Sequence, residues 1–208
     1  NTIKFNMPLF NEMYDDLLAI KNEKDKDEQN RSHATAGKLQ FKKEIEVRDL
    51  TFSYPNTEKP VFKNISFTIP KGSFVGIVGA SGAGKTTFVD ILLGLLPPES
   101  GAILVDGKNM YDDISSWLCN IAYVPQSIYL IDGSIRENIA LGIPADKVSE
   151  ERIRTVLKMA ELSDFVETLS EKENTRVGER GALLSGGQKQ RIGIARALYA
   201  DPSVLVLD

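Results

Sequence analysis

The chain has very little of the two residue types that most often build covalent or metal-bound frameworks. Its 208 residues include one cysteine, Cys119, and one histidine, His33. A disulfide within the chain is therefore impossible, and one thiol with one imidazole cannot assemble a zinc site. We expect Cys119 to be a small buried apolar residue, as in a protein of a reducing compartment, and His33 to be solvated.

Long apolar runs and an excess of basic residues are also absent. No stretch approaches the ~20 apolar residues that span a bilayer, and no signal peptide is recognised at the amino terminus. We expect the chain itself to be soluble, so that a membrane role would come through a partner or another part of the protein. The net charge of −4 disfavours nucleic-acid binding, whereas 42% hydrophobic and 26% charged residues suit a folded domain.

Three zones differ in composition. Apolar residues at helical spacing predict a helix over residues 1–20, and the polar run that follows predicts a linker over 21–38. Residues 39–208 alternate strand-like and helix-like patterns, which predicts one α/β domain.

The domain's elements can be placed from periodicity and caps. Strands are predicted at 44–54, 61–69, 74–78, 102–105, 121–124 and 204–207. Helices are predicted at 86–95, after the capping residues Ser134 and Ser149, and over 185–200. The run over 74–78 is continuously apolar, which favours a strand buried on both faces.

A glycine-rich loop lies between that strand and the helix over 86–95. It satisfies the pattern G-x-x-x-x-G-K-[ST], a phosphate-binding loop. Its glycines allow tight turns and a close approach of backbone amides to phosphates, Lys85 supplies a charge for the β and γ phosphates, and Thr86 is a predicted Mg²⁺ ligand. The predicted ATP-binding residues of this loop are Gly79, Ala80, Ser81, Gly82, Ala83, Gly84, Lys85, Thr86 and Thr87.

A carboxylate ends the last apolar run, Val204–Asp208. We expect this run to be a buried strand next to the strand over 74–78. Asp208 would then lie beside the Mg²⁺, directly or through a water molecule.

A second motif narrows the choice among phosphate-loop proteins. Residues 184–191 read Leu-Ser-Gly-Gly-Gln-Lys-Gln-Arg, which resembles the signature motif of the ATP-binding cassette (ABC) family. Ser185 is a predicted N-cap, and the glycines expose backbone amides at a helix start. The resemblance implies that Ser185, Gly186, Gly187 and Gln188 close over the ATP of a second cassette, paired head to tail with the first.

Other segments of this chain resemble motifs of the family, in the same order along the sequence. Tyr54 matches its aromatic loop and would stack on adenine, and Gln126 matches its glutamine loop and would sense Mg²⁺ and the attacking water. Segments 132–139 and 175–181 resemble exporters. The resemblance covers 39–208 and implies a P-loop NTPase core with an antiparallel β subdomain and a helical insert. It also implies a transmembrane domain fused before the cassette, at the cytoplasmic face of a membrane.

The chain departs from the family after Asp208. The glutamate that polarises the attacking water and the switch histidine have no counterpart in these 208 residues. We interpret the chain as a fragment truncated after Asp208, and we expect it to bind ATP but to hydrolyse it poorly. Lys85, Gln126 and Asp208 are its candidate catalytic residues, and Thr86, Gln126 and Asp208 its candidate metal ligands.

Two alternatives stand beside an exporter ATPase. A chromosome-maintenance or repair ATPase would place a long coiled coil between the phosphate loop and the signature, but the stretch from Thr86 to Ser185 has no heptad run. A nucleotide-binding module without catalysis remains open for the chain as it stands. The transported substrate, and whether two cassettes form a homodimer or a heterodimer, are not encoded here.

Overall fold

The computed structural model describes residues 39, 41–57 and 59–208. The helix predicted over 1–20 and the linker over 21–38 lie outside this part of the chain. The strands are β1 Glu44–Phe52, β2 Phe62–Pro70, β3 Ser100–Val105, β4 Lys108–Asn109, β5 Ile121–Val124 and β6 Val204–Leu207. The α-helices are α1 Lys85–Leu92, α2 Ile114–Leu118, α3 Ile135–Ile139, α4 Glu150–Met159, α5 Ser163–Glu167 and α6 Gly186–Tyr199. Short 3₁₀ turns occur at Met110–Asp113, Ala145–Lys147, Lys172–Asn174 and Glu179–Gly181.

Four strands form an antiparallel sheet in the order β2-β1-β3-β4. In the centre of the sheet, Ile45 lies opposite Ile69 on one side and Val105 on the other. The register shifts between Val47 and Leu50. This irregularity keeps Leu50 on the buried face together with Ile45 and Val47.

A second, two-stranded sheet is parallel. β5 pairs with β6 from Ile121 opposite Val204 to Val124 opposite Leu207. Val204 and Val206 pack against the same apolar core as β1, β3 and the buried face of α1. Because parallel strands end at the same edge, the residues that follow β5 and β6 are brought together.

The strand predicted over 74–78 is not formed, and this prediction is wrong. Phe74 is 96% exposed and Val78 is 92% exposed, and the segment belongs to neither sheet. The expectation that β6 lies next to it is also wrong, since β6 pairs with β5. An apolar run becomes a buried strand only when neighbouring strands satisfy its backbone groups, and the described strands offer this run no such neighbour.

The helices α3 to α6 enclose a second apolar core. Ile135, Ile153, Leu162 and Ile192 are almost fully buried in it. The predicted caps are confirmed: Ser134 and Ser185 each form a complete capping box, and the Ser149 side chain accepts from the backbone N–H of Arg152. A mixed α/β fold with an antiparallel sheet and a helical part is thus confirmed.

The structure can be compared with what we expected of Cys119 and of membrane-spanning segments. Cys119 is exposed, so its predicted burial is wrong; it caps the carboxyl end of α2, where the chain turns at the surface. Among the described residues, no helix has the length and apolarity to cross a membrane.

Candidate functional site

The phosphate loop leads into α1 through a glycine in a left-handed conformation. Gly84 is the N-cap of α1, with φ 90° and ψ 11°. A Cβ atom at this position would lie 2.6 Å from Val61 Cγ1 and 2.9 Å from Phe62 Cζ. Both the backbone angle and the close approach to the start of β2 therefore require glycine here.

Lys85 is folded back along the loop. Its Nζ donates to the carbonyl oxygens of Gly79 at 3.0 Å and Ala80 at 2.9 Å. The ammonium group thus lies within the loop whose amides precede α1. A cation and a helix N-terminus at one place form an arrangement suited to an anion.

The two threonines after Lys85 have different environments. Thr86 is exposed, whereas Thr87 is buried and shares a hydrogen bond of 3.0 Å with the hydroxyl of Tyr54. The structure therefore joins the predicted aromatic loop to the predicted phosphate loop. Sequence motifs, read one at a time, did not signal this contact.

Gln126 and Asp208 follow β5 and β6, so they lie at the same sheet edge. The backbone N–H of Asp208 donates to the carbonyl of Val124 at 3.1 Å. The Tyr123 hydroxyl donates to Asp208 Oδ2 at 3.0 Å. Partial burial, together with this bond and the charges of Asp208 and of Asp90 on α1, raises the pKa of Tyr123 above its ordinary value.

The signature forms the start of α6. Ser185 Oγ accepts from the backbone N–H of Gln188 at 3.3 Å, and Gln188 Oε1 accepts from the backbone N–H of Ser185 at 2.8 Å. Gly186 and Gly187 are exposed at this helix start, and added Cβ atoms would meet nothing within 4 Å. These two glycines therefore leave the backbone at the start of α6 accessible at the surface.

The two segments that resemble exporters lie against each other. Ser134 forms a β-bridge with Arg176, and Val177 donates its backbone N–H to the carbonyl of Gly133 at 2.9 Å. Arg176 also pairs with Asp132 at 3.4 Å. Residues 132–139 and 175–181 therefore form one structural unit beside the signature helix.

A buried polar network ties this unit to α6, and sequence reasoning missed it. Asn138 is fully buried; its side chain donates to the carbonyls of Ile131 and Ser134 and accepts from the Ile131 backbone N–H. Arg196 of α6 donates to the carbonyls of Asn138 and Tyr129. Burial lowers the pKa of Arg196. The only signal in the sequence was that Asn138 and Arg196 occupy helix positions among apolar residues.

The residues present fit a nucleoside triphosphate and Mg²⁺. Residues 79–83 of the loop are exposed, and Lys85 is its single cation. Thr86 and Asp208 supply a hydroxyl and a carboxylate. Within the described part of the chain, no group of three or more His, Cys, Asp or Glu side chains could hold a metal ion by itself. A hydroxyl and a carboxylate are oxygen ligands of the kind that Mg²⁺ takes when phosphate oxygens supply the others.

Fold and site together define a P-loop NTPase domain that binds nucleotide. Comparison with known proteins gives the family: the profile described as ABC transporter matches residues 62–208. The chain belongs to the ABC transporter family, and these residues form its nucleotide-binding domain.

Several known proteins are similar to this chain. "ABC multidrug transporter mdr1" of Aspergillus fumigatus is 43% identical over 167 residues, which are 79% of this chain and 12% of that protein. "Heterocyst differentiation ATP-binding protein HepA" of Nostoc is 42% identical over 183 residues, 86% of this chain and 30% of that protein. A solved bacterial Atm1-family ABC exporter with ATP bound gives a TM-score of 0.74 at 35% identity, covering 83% of this chain and 30% of its own. The chain thus spans less than a third of the length of these relatives.

Proposed function

We propose that this chain binds ATP with Mg²⁺ at residues 79–87 and that, in its full-length protein, ATP hydrolysis drives export across a membrane. The observation that carries this proposal is the Lys85 ammonium within a glycine loop that opens directly into α1. Backbone amides and the helix N-terminus would hold the phosphates, and Lys85 would face the β and γ phosphates.

We infer the roles of the other predicted site residues from their positions in the chain. Tyr54 would stack on the base, while Thr86 and Asp208, with Gln126 nearby, would hold Mg²⁺. The ion would neutralise phosphate charge during transfer to water. Gln126 would orient that water and transmit the state of the site to a transmembrane domain.

The signature at the start of α6 would complete the site of a second cassette. Its exposed glycines and the box-capped Ser185 present another anion-binding helix start. Two chains paired head to tail would enclose two nucleotides at the cytoplasmic face of the membrane. The similarity to a solved ABC exporter with ATP bound supports an exporter function.

Nucleotide binding can be tested on the chain itself. Titration calorimetry with ATP and Mg²⁺ should give binding for the parent chain and at least about tenfold weaker binding for Lys85→Ala, because a hydrogen bond to a charged group contributes about 1.5–3 kcal/mol. Lys158→Ala, which removes an exposed lysine from α4, is the matched control and should bind as the parent does. Equal affinity of Lys85→Ala and the parent chain would contradict the proposal.

Pairing and turnover need separate measurements. We expect the 208-residue chain alone to hydrolyse ATP slowly, since the family's glutamate base and switch histidine are not among its residues. In the full-length protein, Ser185→Arg should abolish ATP-driven pairing, because a large cation would fill the surface that meets the partner's nucleotide. Unchanged ATP-dependent dimer formation, measured by light scattering, would refute the role of the signature.

A further inference from the structure

We infer that Tyr123 is a positioning residue for the metal ion of the nucleotide: its hydroxyl holds one oxygen of Asp208 and leaves the other oxygen free for Mg²⁺. This inference rests on the proposed function, because it concerns the ion that Asp208 would bind. It gives a role to Tyr123, which is not among the predicted site residues.

The pairing of β5 with β6 brings Tyr123 next to Asp208, although 85 positions separate them in the chain. Tyr123 lies opposite Val206 in the parallel ladder, and Asp208 follows two residues later. The backbone N–H of Asp208 donates to the carbonyl of Val124 at 3.1 Å, which continues the ladder as far as Asp208. Side chains two positions apart on a strand share one face of the sheet, so the tyrosine ring and the carboxylate lie on the same face.

The carboxylate of Asp208 has one oxygen held and one oxygen open. The Tyr123 hydroxyl donates to Oδ2 at 3.0 Å, whereas Oδ1 has no hydrogen-bond partner among the residues that the structure describes. Asp208 is exposed and Tyr123 is half-buried, so the ring has less freedom to reorient than the carboxylate. Tyr123 is therefore the fixed member of the pair.

A hydrogen bond from a second residue commonly orients a carboxylate that binds a metal ion. Without the Tyr123 hydroxyl, the Asp208 side chain would have to be ordered when the ion binds. Ordering one side chain weakens binding by about two- to tenfold. Loss of the hydroxyl should therefore weaken the contribution of Mg²⁺ to ATP binding by that factor.

The experiment measures ATP affinity by calorimetry, once with saturating Mg²⁺ and once with EDTA. The ratio of the two affinities gives the contribution of the metal, and any change in ATP affinity that does not involve the metal cancels in it. Tyr123→Phe should lower this ratio by about two- to tenfold relative to the parent chain. Asp208→Asn should lower it at least as much, and the double variant should lower it no further than Asp208→Asn does, because the hydroxyl acts through that carboxylate.

Tyr111→Phe is the matched control. It also removes a tyrosine hydroxyl that donates hydrogen bonds, in this case to the carbonyls of Ile91 and Leu96. These acceptors lie at the end of α1 and beyond it, away from Asp208. Tyr111→Phe should therefore leave the ratio at the value of the parent chain, whatever it does to the stability of the fold.

Three results would overturn the inference. If Tyr123→Phe gives the same ratio as the parent chain, the hydroxyl does not position the carboxylate. If it gives a larger ratio, the hydroxyl competes with the ion for Asp208. If the double variant loses more than Asp208→Asn, Tyr123 acts on another group. Failure of the proposed function is distinguishable, because Lys85→Ala would then bind ATP as tightly as the parent chain under both conditions.

Discussion

Substitution of Gly84 by alanine should destabilise the fold even without nucleotide. The residue has φ 90°, and placing a non-glycine residue in the left-handed region costs about 1–2 kcal/mol. The new Cβ would also lie 2.6 Å from Val61 Cγ1, and overpacking of this kind costs about 1–3 kcal/mol. The free energy of unfolding should therefore fall by about 2–5 kcal/mol.

Gly82 supplies the matched control within the same loop. Its φ is 77°, but a Cβ there would meet nothing within 4 Å. Gly82→Ala should therefore show only the conformational cost of about 1–2 kcal/mol. The difference between the two variants isolates the packing of the loop against the start of β2.

Urea unfolding followed by tryptophan fluorescence measures both variants. The chain has one tryptophan, Trp117, which is fully buried in the core that also contains Phe88 of α1. Its indole N–H donates to the carbonyl of Leu92 at 2.8 Å, so its emission reports on the end of α1. Equal destabilisation by Gly84→Ala and Gly82→Ala would refute the packing argument.

Three further predictions concern the helical part and its caps. Asn138→Ala should lower the free energy of unfolding by about 2–4 kcal/mol in urea titrations. The part-buried Ile131 N–H and the Arg196 guanidinium lose the Asn138 side-chain oxygen as acceptor, and the carbonyls of Ile131 and Ser134 each lose one of their donors. A loss below about 0.5 kcal/mol would contradict this. Ser185→Ala removes the acceptor for the Gln188 backbone N–H and should cost about 1 kcal/mol by the same assay, with no loss expected if the cap does not contribute. Hydrogen bonds from the Ser134 backbone and hydroxyl lower the pKa of Glu137. Its stabilising contribution is therefore present above the ordinary carboxyl pKa of about 4.3 and is lost as the pH falls through the lowered value. Urea titrations from pH 6 to pH 3 should show a weaker acid dependence for Glu137→Gln than for the parent chain, and identical profiles would disprove this linkage.

Local patterns predicted most elements and the motif positions. The predicted caps at Ser134 and Ser185 are confirmed because an N-cap needs only residues within one helical turn. The strands β1, β2, β3, β5 and β6 lie where period-two or continuous apolar patterns placed them, with ends shifted by a few residues. The roles of individual residues in nucleotide binding stay predictions.

The sequence by itself determined the positions of the phosphate-loop motif and the signature motif, and these motifs indicated the family. Each motif is a contiguous run whose residue types are fixed by local backbone geometry. Only the tertiary structure decided which segments meet: Tyr54 with Thr87, residues 132–139 with 175–181, and β6 with β5. The prediction of a strand over 74–78 was wrong for the same reason. Strand formation and long-range hydrogen bonds depend on partners distant in the chain, and no local pattern specifies those partners.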